Sequence, residues 1–161
     1  MTTGLPNFFE YNLWANRRLL DFCEQLSDEQ LDATMVGVFG SIREILMHLF
    51  SSEEGYAYSF NKIKPTPYLK EVTTFVGFEE LRRHAELSGT ALIAIAKERD
   101  LSETFWLDGG TYECQAYIVA IQVINHGIDH RSQIATLLAQ QGIELPDLDA
   151  WGYNDDLRSK Q

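Results

Sequence analysis

Residues 123–138 read VINHGIDHRSQIATLL, and the spacing of their apolar side chains decides what fold the chain can make. At about 100° per residue, Val119, Val123, His126, His130, Ile134 and Leu137 fall on one narrow stripe of a helix. The stripe is apolar except for two imidazoles, so both rings point inward. A buried imidazole needs partners for its ring nitrogens, and the aliphatic neighbours on the stripe offer none. An i,i+4 pair can direct two nitrogens at one metal ion. The same spacing also fits two core histidines hydrogen-bonded to a backbone carbonyl or a tyrosine.

Outward from this segment, the chain reads as helices joined by short connections. The last long helix is expected from about Glu113 to Gln141, closed by Gly142 with Pro146 beyond it. The first runs from about Pro6 to Cys23, with Phe9, Leu13, Asn16, Leu20 and Cys23 at helical spacing. SDEQL carries a capping-box pair, Ser27 and Gln30, and MVGVFG reads as a loop. A second long helix starts at Ser41, again with capping-box spacing to Glu44, and reaches about Asn61. Pro65 and Pro67 then force a longer crossing connection. The third long helix spans roughly Phe78 to Arg99, with Leu81, Ala85, Ser88, Leu92 and Ile95 on one stripe. WLDGGTYE reads as a turn or hairpin, because Asp108-Gly109-Gly110 suits positive φ. The expectation is an all-α four-helix bundle, a single domain over residues 1–161.

Composition removes several classes of function. The 161 residues hold 13 Lys plus Arg against 24 Asp plus Glu, a formal net charge of −11. The negative residues are spread along the chain, so no basic face exists for nucleic acid phosphates or an anionic membrane surface. No apolar run has the length of a bilayer span, and MTTGLPNFFEYN lacks the basic and apolar regions of a signal peptide. A cytoplasmic location is expected. Cys23 and Cys114 belong to no C-x-x-C motif and read as reduced core thiols, with a disulfide as the lesser alternative.

A third histidine, His48, lies mid-way along the second helix, on the flank of an apolar centre marked by Ile42, Leu49, Tyr56 and Phe60. Ser52, Gly55 and Ser59 follow it along the same line. Small residues below an inward-leaning histidine leave volume where a substrate can sit, which makes Ser52 and Gly55 pocket candidates; they equally permit close helix packing. Gln133 lies near the histidine face and is a candidate to touch a ligand or substrate. Asp129 points away from it. His84, among charged neighbours in EELRRHAELS, reads as solvated, as do Glu53 and Glu54. Trp14, Tyr56 and Trp106 could line a pocket mouth, and are assigned to the core by default because aromatics at these spacings are more often buried.

Three segments together resemble the DinB/YfiT-like family: YNLWANRRLLDF (11–22), FGSIREILMHLFSSEEGY (39–56), and VINHGIDHRSQIATLLAQQGIELPDLD (123–149). The resemblance covers nearly the whole chain. One histidine in the second helix followed by an i,i+4 pair in the fourth is its most specific element. It implies an up-down-down-up bundle, commonly a homodimer, with a divalent metal held by His48, His126 and His130. Where the family often has Arg-Gly-Gln after the last histidine, this chain has Arg131-Ser132-Gln133, a change that helix propensity tolerates.

Three neutral imidazoles leave a divalent ion with its full charge and an open position, the pattern of a catalytic rather than a structural site. Zinc held so can bring bound water to a pKa of about 7, and a thiol in the open position is deprotonated. The resemblance implies the thiol route, because relatives include bacillithiol S-transferases and mycothiol-dependent maleylpyruvate isomerases. The expected function is therefore a metal-dependent transferase using a low-molecular-weight thiol and a small-molecule substrate. The alternatives are a metal-dependent hydrolase and a non-catalytic, metal-stabilised interaction module. Zinc is the expected ion and nickel a second possibility, since imidazole accepts both.

Overall fold

The structure, a computed structural model, describes residues 4–160. Residues 1–3, part of the amino-terminal stretch discussed above, and residue 161 lie outside the described residues. Four long helices, α1 (Leu5–Cys23), α3 (Ile42–Asn61), α4 (Phe78–Glu98) and α5 (Ala116–Gln140), form the bundle. A single-turn helix α2 (Asp28–Leu31), a hairpin of β1 (Thr104–Leu107) and β2 (Tyr112–Gln115), and a terminal α6 (Ala150–Ser159) complete it.

The helix starts follow their caps. Ser27 Oγ accepts from Gln30 N and Ser41 Oγ from Glu44 N, each with the reciprocal bond that completes a capping box. The expected apolar stripes are the buried ones: Phe9, Leu13, Leu20 and Cys23 on α1, Leu81, Ala85, Leu92 and Ile95 on α4, and Val119, Val123, Ile134 and Leu137 on α5. They meet in a large core around Leu19, Ile45, Leu46, Phe50, Leu81 and Ile134 at one end, and smaller clusters around Phe9 and Phe105 at the other.

Paired contacts give the helix directions. Arg17 meets Glu86 and Lys97 meets Glu10, so α1 and α4 run antiparallel. Glu53 meets Ser88 while Arg99 reaches the Phe60 carbonyl, so α3 and α4 run parallel. His48 lies beside His126 and Phe60 clusters with Val119, so α3 and α5 run antiparallel. The bundle is thus up-down-down-up. The parallel pair α3 and α4 needs a connection that travels the full helix length, which is what residues 62–77 supply.

Three expectations are corrected. The last bundle helix begins at Ala116 rather than Glu113, because Tyr112–Gln115 pairs antiparallel with β1 in the register Phe105↔Cys114. Its turn uses positive φ at Asp108, Gly109 and Gly110 (49°, 68° and 92°). Trp106, assigned to the core, stands exposed on this hairpin, since strand alternation turns Phe105 inward instead. Helix α6 has no counterpart in the sequence reading, because it buries none of its residues fully and so shows no apolar stripe. Asp149 caps it through Gly152 N at 2.8 Å, and Tyr153 packs on Trp14 with ring centroids 5.2 Å apart.

Candidate metal centre

His48 on α3 and His126 and His130 on α5 come together, with one ring nitrogen from each all within 4.8 Å of one another. The arrangement follows from the helix geometry: four residues put His126 and His130 on one face, and antiparallel α3 brings His48 opposite them. Their Nε2 atoms face inward, His126 to His48 at 3.1 Å and His130 to His126 at 3.1 Å. Burial lowers the pKa of all three below that of a free imidazole, His126 to about 4, and their mutual proximity adds to it at His48 and His126. The rings are therefore neutral at pH 7.

Neutral rings cannot satisfy this geometry alone. His126 Nε2 carries either one proton or one lone pair, so at most one of its two 3.1 Å contacts is a hydrogen bond. The other is left without a directed donor–acceptor pair. A cation accepting all three lone pairs removes the conflict, so the donor set fits a divalent metal. His130 Nδ1 is buried and without a hydrogen-bond partner.

Aromatic rings border the cluster. Phe39, in the loop before α3, stacks on His48 with centroids 4.1 Å apart and stands edge-on to His130 at 5.7 Å. Tyr56 stands edge-on to His126 at 6.0 Å. Gln133 joins this wall to the cluster: its Oε1 accepts from Phe39 N at 2.9 Å, its Nε2 donates to Asp129 at 3.0 Å, and its side chain lies close enough to His130 to pull that imidazole's pKa up against burial. Ser52 is half-buried along α3. Gly55 faces the crossing connection, where an added Cβ would lie 3.8 Å from the Tyr68 hydroxyl and 3.9 Å from the Lys70 ammonium.

Two buried polar networks flank the histidines, and the solvated assignments of Glu53, Glu54 and His84 are corrected by them. Glu53 is 2 % exposed and accepts from Asn12, Asn16 and Ser88, each at 2.9 Å. The two asparagine carbonyls in turn accept from Arg131 Nη1 at 2.9 and 2.8 Å. Burial pushes the Glu53 carboxyl up, while the Ser88, Asn12 and Asn16 hydrogen bonds and the Arg131 charge pull it down. Glu54 is 2 % exposed; it accepts from Leu69 N at 3.1 Å and pairs with Nδ1 of His84, itself 1 % exposed. Nδ1 faces a carboxylate, which can only accept, so it carries a proton, while Nε2 lies 2.9 Å from Arg83 Nη2 and 3.2 Å from Glu80 Oε1. Charged neighbours in sequence disguised His84, because its partner lies thirty residues away on α3. One signal was available for the other network: Asn16 sits on an otherwise apolar stripe, and a buried amide requires a polar partner.

Cys23 is no rival nucleophile, since burial pushes its thiol up to about 12.

The crystal structure of a DinB-like protein, YjoA, from Bacillus subtilis shares the fold, with a TM-score of 0.63 over 89% of this chain and 98% of that one at 15% identity. Protein DinB of Bacillus subtilis (strain 168) is 26% identical over 144 residues, 83% of this chain and 84% of that protein. The DinB family model matches residues 1–158. That match takes in all four bundle helices and all three clustered histidines, and the chain belongs to the DinB family.

Proposed function

We propose that the protein is a metal-dependent enzyme in which His48, His126 and His130 hold one divalent ion, zinc first and nickel second, and that it transfers a low-molecular-weight thiol to a small electrophile. The observation that carries the proposal is the convergence of three neutral imidazole nitrogens within 4.8 Å. Among the described residues this group contains no carboxylate, so a bound ion keeps its positive charge. When bound, the ion supplies a Lewis acid that makes a thiol acidic at neutral pH.

The chain's own residues do the rest. The α5 stripe and α3 fix the three nitrogens, Phe39 and Tyr56 supply apolar walls, and Ser52, Gly55 and Gln133 are the candidate groups along the route to substrate. In the reaction a C–S bond forms as the bond from carbon to its leaving group breaks. The leaving group departs with the electron pair, and the thiol proton goes to solvent. Thiol transfer is placed before hydrolysis on the resemblance to the DinB/YfiT-like family, whose members include bacillithiol S-transferases and mycothiol-dependent maleylpyruvate isomerases.

The same proposal includes one domain over residues 1–161, a cytoplasmic setting and a homodimer. Among the described residues no helix is long and apolar enough to cross a membrane. Phe8, Tyr117, Ile121 and Ile128 stand exposed on α1 and α5, an apolar side that suits self-association.

Metal analysis of the purified protein, before and after His126→Ala, tests the site. One equivalent of divalent ion, lost in the variant, is expected; a protein that takes up neither zinc nor nickel overturns the proposal. Consumption of bacillithiol, glutathione or cysteine with a halonitroaromatic, lost in His48→Ala, tests the reaction. Ester or amide hydrolysis without thiol turnover would establish the hydrolase instead. A metal whose removal unfolds the chain, with no turnover of any kind, would establish a structural ion.

A further inference from the structure

We propose that Phe39 is the specificity-determining residue of the histidine centre, that it selects ligands carrying a flat aromatic group close to the metal-binding atom, and that Gln133 is the positioning residue that holds it in place. The proposal rests on the three-histidine metal reading and adds the chemical class of its ligand.

Phe39 occupies an unusual place for a large apolar residue. It is 56 % exposed, yet its ring lies against two of the three clustered imidazoles, stacked on His48 at 4.1 Å and 22° and edge-on to His130 at 5.7 Å and 83°. Hydrophobic burial alone does not explain the position, because more than half of the ring's residue remains in water. The ring also lines a cavity of about 240 Å³ whose other walls include Arg43, Met47, Val72 and Phe75. Phe39 therefore borders both the histidine cluster and an adjoining space that Phe75 also lines.

The backbone around Phe39 is fastened from two sides. Gln133, one turn beyond His130 on α5, accepts from Phe39 N at 2.9 Å and is itself held by Asp129. On the other side Gly40 lies so close to α3 that a Cβ there would stand 2.7 Å from Glu44 Oε2. That carboxylate is fixed by the Ser41 backbone N–H at 2.7 Å. Earlier in this loop Met35 and Val38 pack against the large core while Val36 is exposed and Gly37 takes positive φ, so the ring's angle has to be set at Phe39 and its immediate neighbours. The two fastenings do so, and they place a rigid aromatic face beside the donor nitrogens. Offset or edge-to-face contact with a second ring adds about 0.5–1.5 kcal/mol beyond area, or up to about tenfold in affinity.

The test is ligand binding to the cobalt(II)-loaded protein, read by the visible d–d bands and the sulfur-to-cobalt charge-transfer band, without turnover. Benzyl mercaptan and 2-mercaptoethanol, thiols of similar acidity, are titrated into wild type, Phe39→Ala, Phe39→Leu, Gln133→Ala and Gln133→Glu. Wild type is expected to prefer benzyl mercaptan by about tenfold. Phe39→Ala and Phe39→Leu, read at saturating cobalt, should bring the ratio close to that of the free thiols' partition alone. Gln133→Ala should lower the ratio, and Gln133→Glu, which keeps the acceptor for Phe39 N but sets a second carboxylate against Asp129, should restore it only in part. Equal affinity for the two thiols in wild type, or an unchanged ratio in Phe39→Ala, overturns the inference while leaving the metal site standing. Failure to take up cobalt at all overturns the metal reading and this inference with it.

Discussion

Glu53 and Arg131 face each other across the side-chain amides of Asn12 and Asn16, whose nitrogens donate to the carboxylate and whose oxygens accept from the guanidinium. Three helices meet in this bridge, and every group in it is nearly excluded from water. An ion pair at this depth gives little net stability against an apolar replacement, but removal of one partner leaves the other charge buried alone. Glu53→Ala also strands donors on Asn12, Asn16 and Ser88. The expected cost is about 3–5 kcal/mol in chemical denaturation. A loss under about 1 kcal/mol would show that Arg131 finds water instead of a carboxylate.

Gly127 sits between the two metal-candidate histidines of its turn and lets α1 approach α5. A Cβ there would stand 2.6 Å from Asn12 Oδ1 and 2.9 Å from Arg131 Nη1. Alanine is the better helix former by about 1 kcal/mol, and in an exposed helix Gly127→Ala would stabilise. Here the atoms in the way are ends of side chains pinned at both sides by the buried bridge, so they cannot step aside cheaply. Net destabilisation is expected, by about 1–3 kcal/mol as in other overpacked cores. Gly89→Ala is the control. Its added Cβ would meet Leu13 Cδ1 at 2.8 Å, which can turn aside, and Leu13 Cβ at 3.2 Å, which moves only with α1 by a few tenths of an ångström; no buried charge is disturbed, and the effect should be smaller. A Gly127→Ala protein as stable as the parent would mean that the bridge is loose.

What the sequence disclosed and what it hid divide along a physical line. The helix stripes, both capping boxes and the His126–His130 pair depend on residues within one turn of each other, where geometry is fixed by the backbone period. His48 was visible because an inward histidine on an apolar flank demands a partner wherever that partner is. Glu54 with His84, and Glu53 with Arg131, were invisible for the opposite reason: each looks like an ordinary surface charge until a partner from another helix covers it. Phe39 gave no periodic signal because it lies in a loop, and α6 gave none because it is bound by Tyr153 on Trp14 rather than by a buried stripe.

Metal binding should stabilise the fold without being required for it. The large core around Ile45, Leu46, Phe50 and Leu81 is complete without the histidines, so the chelated protein should remain folded and melt cooperatively. At a free zinc concentration of 100 times Kd the gain is about 2.7 kcal/mol. For a chain of this size that raises Tm by about 5–10 °C. Differential scanning calorimetry with zinc and with chelator measures the shift, and His130→Ala should abolish it. Unfolding on chelation would assign the ion a structural role.

The acid response of the metal-free protein reports on the same three rings. His126 is pulled down to about 4, first by burial and then by His130 and His48, with Asp129 opposing, against 6.5 for a free imidazole. Between those two values the unfolded chain binds more protons than the folded one, so stability is held above pH 6.5 and falls as the pH drops from 6.5 toward 4. The ring is half-buried, so solvent screening trims its share to on the order of 1 kcal/mol. His48 and His130 are shifted in the same direction and add to the slope. Urea denaturation in chelator at several pH values across this window measures it, and His126→Asn, which cannot titrate, should lie flatter than wild type. Parallel curves for the two proteins would show that the His126 ring is as free to protonate when folded as when unfolded, and that the three nitrogens do not hold one another neutral.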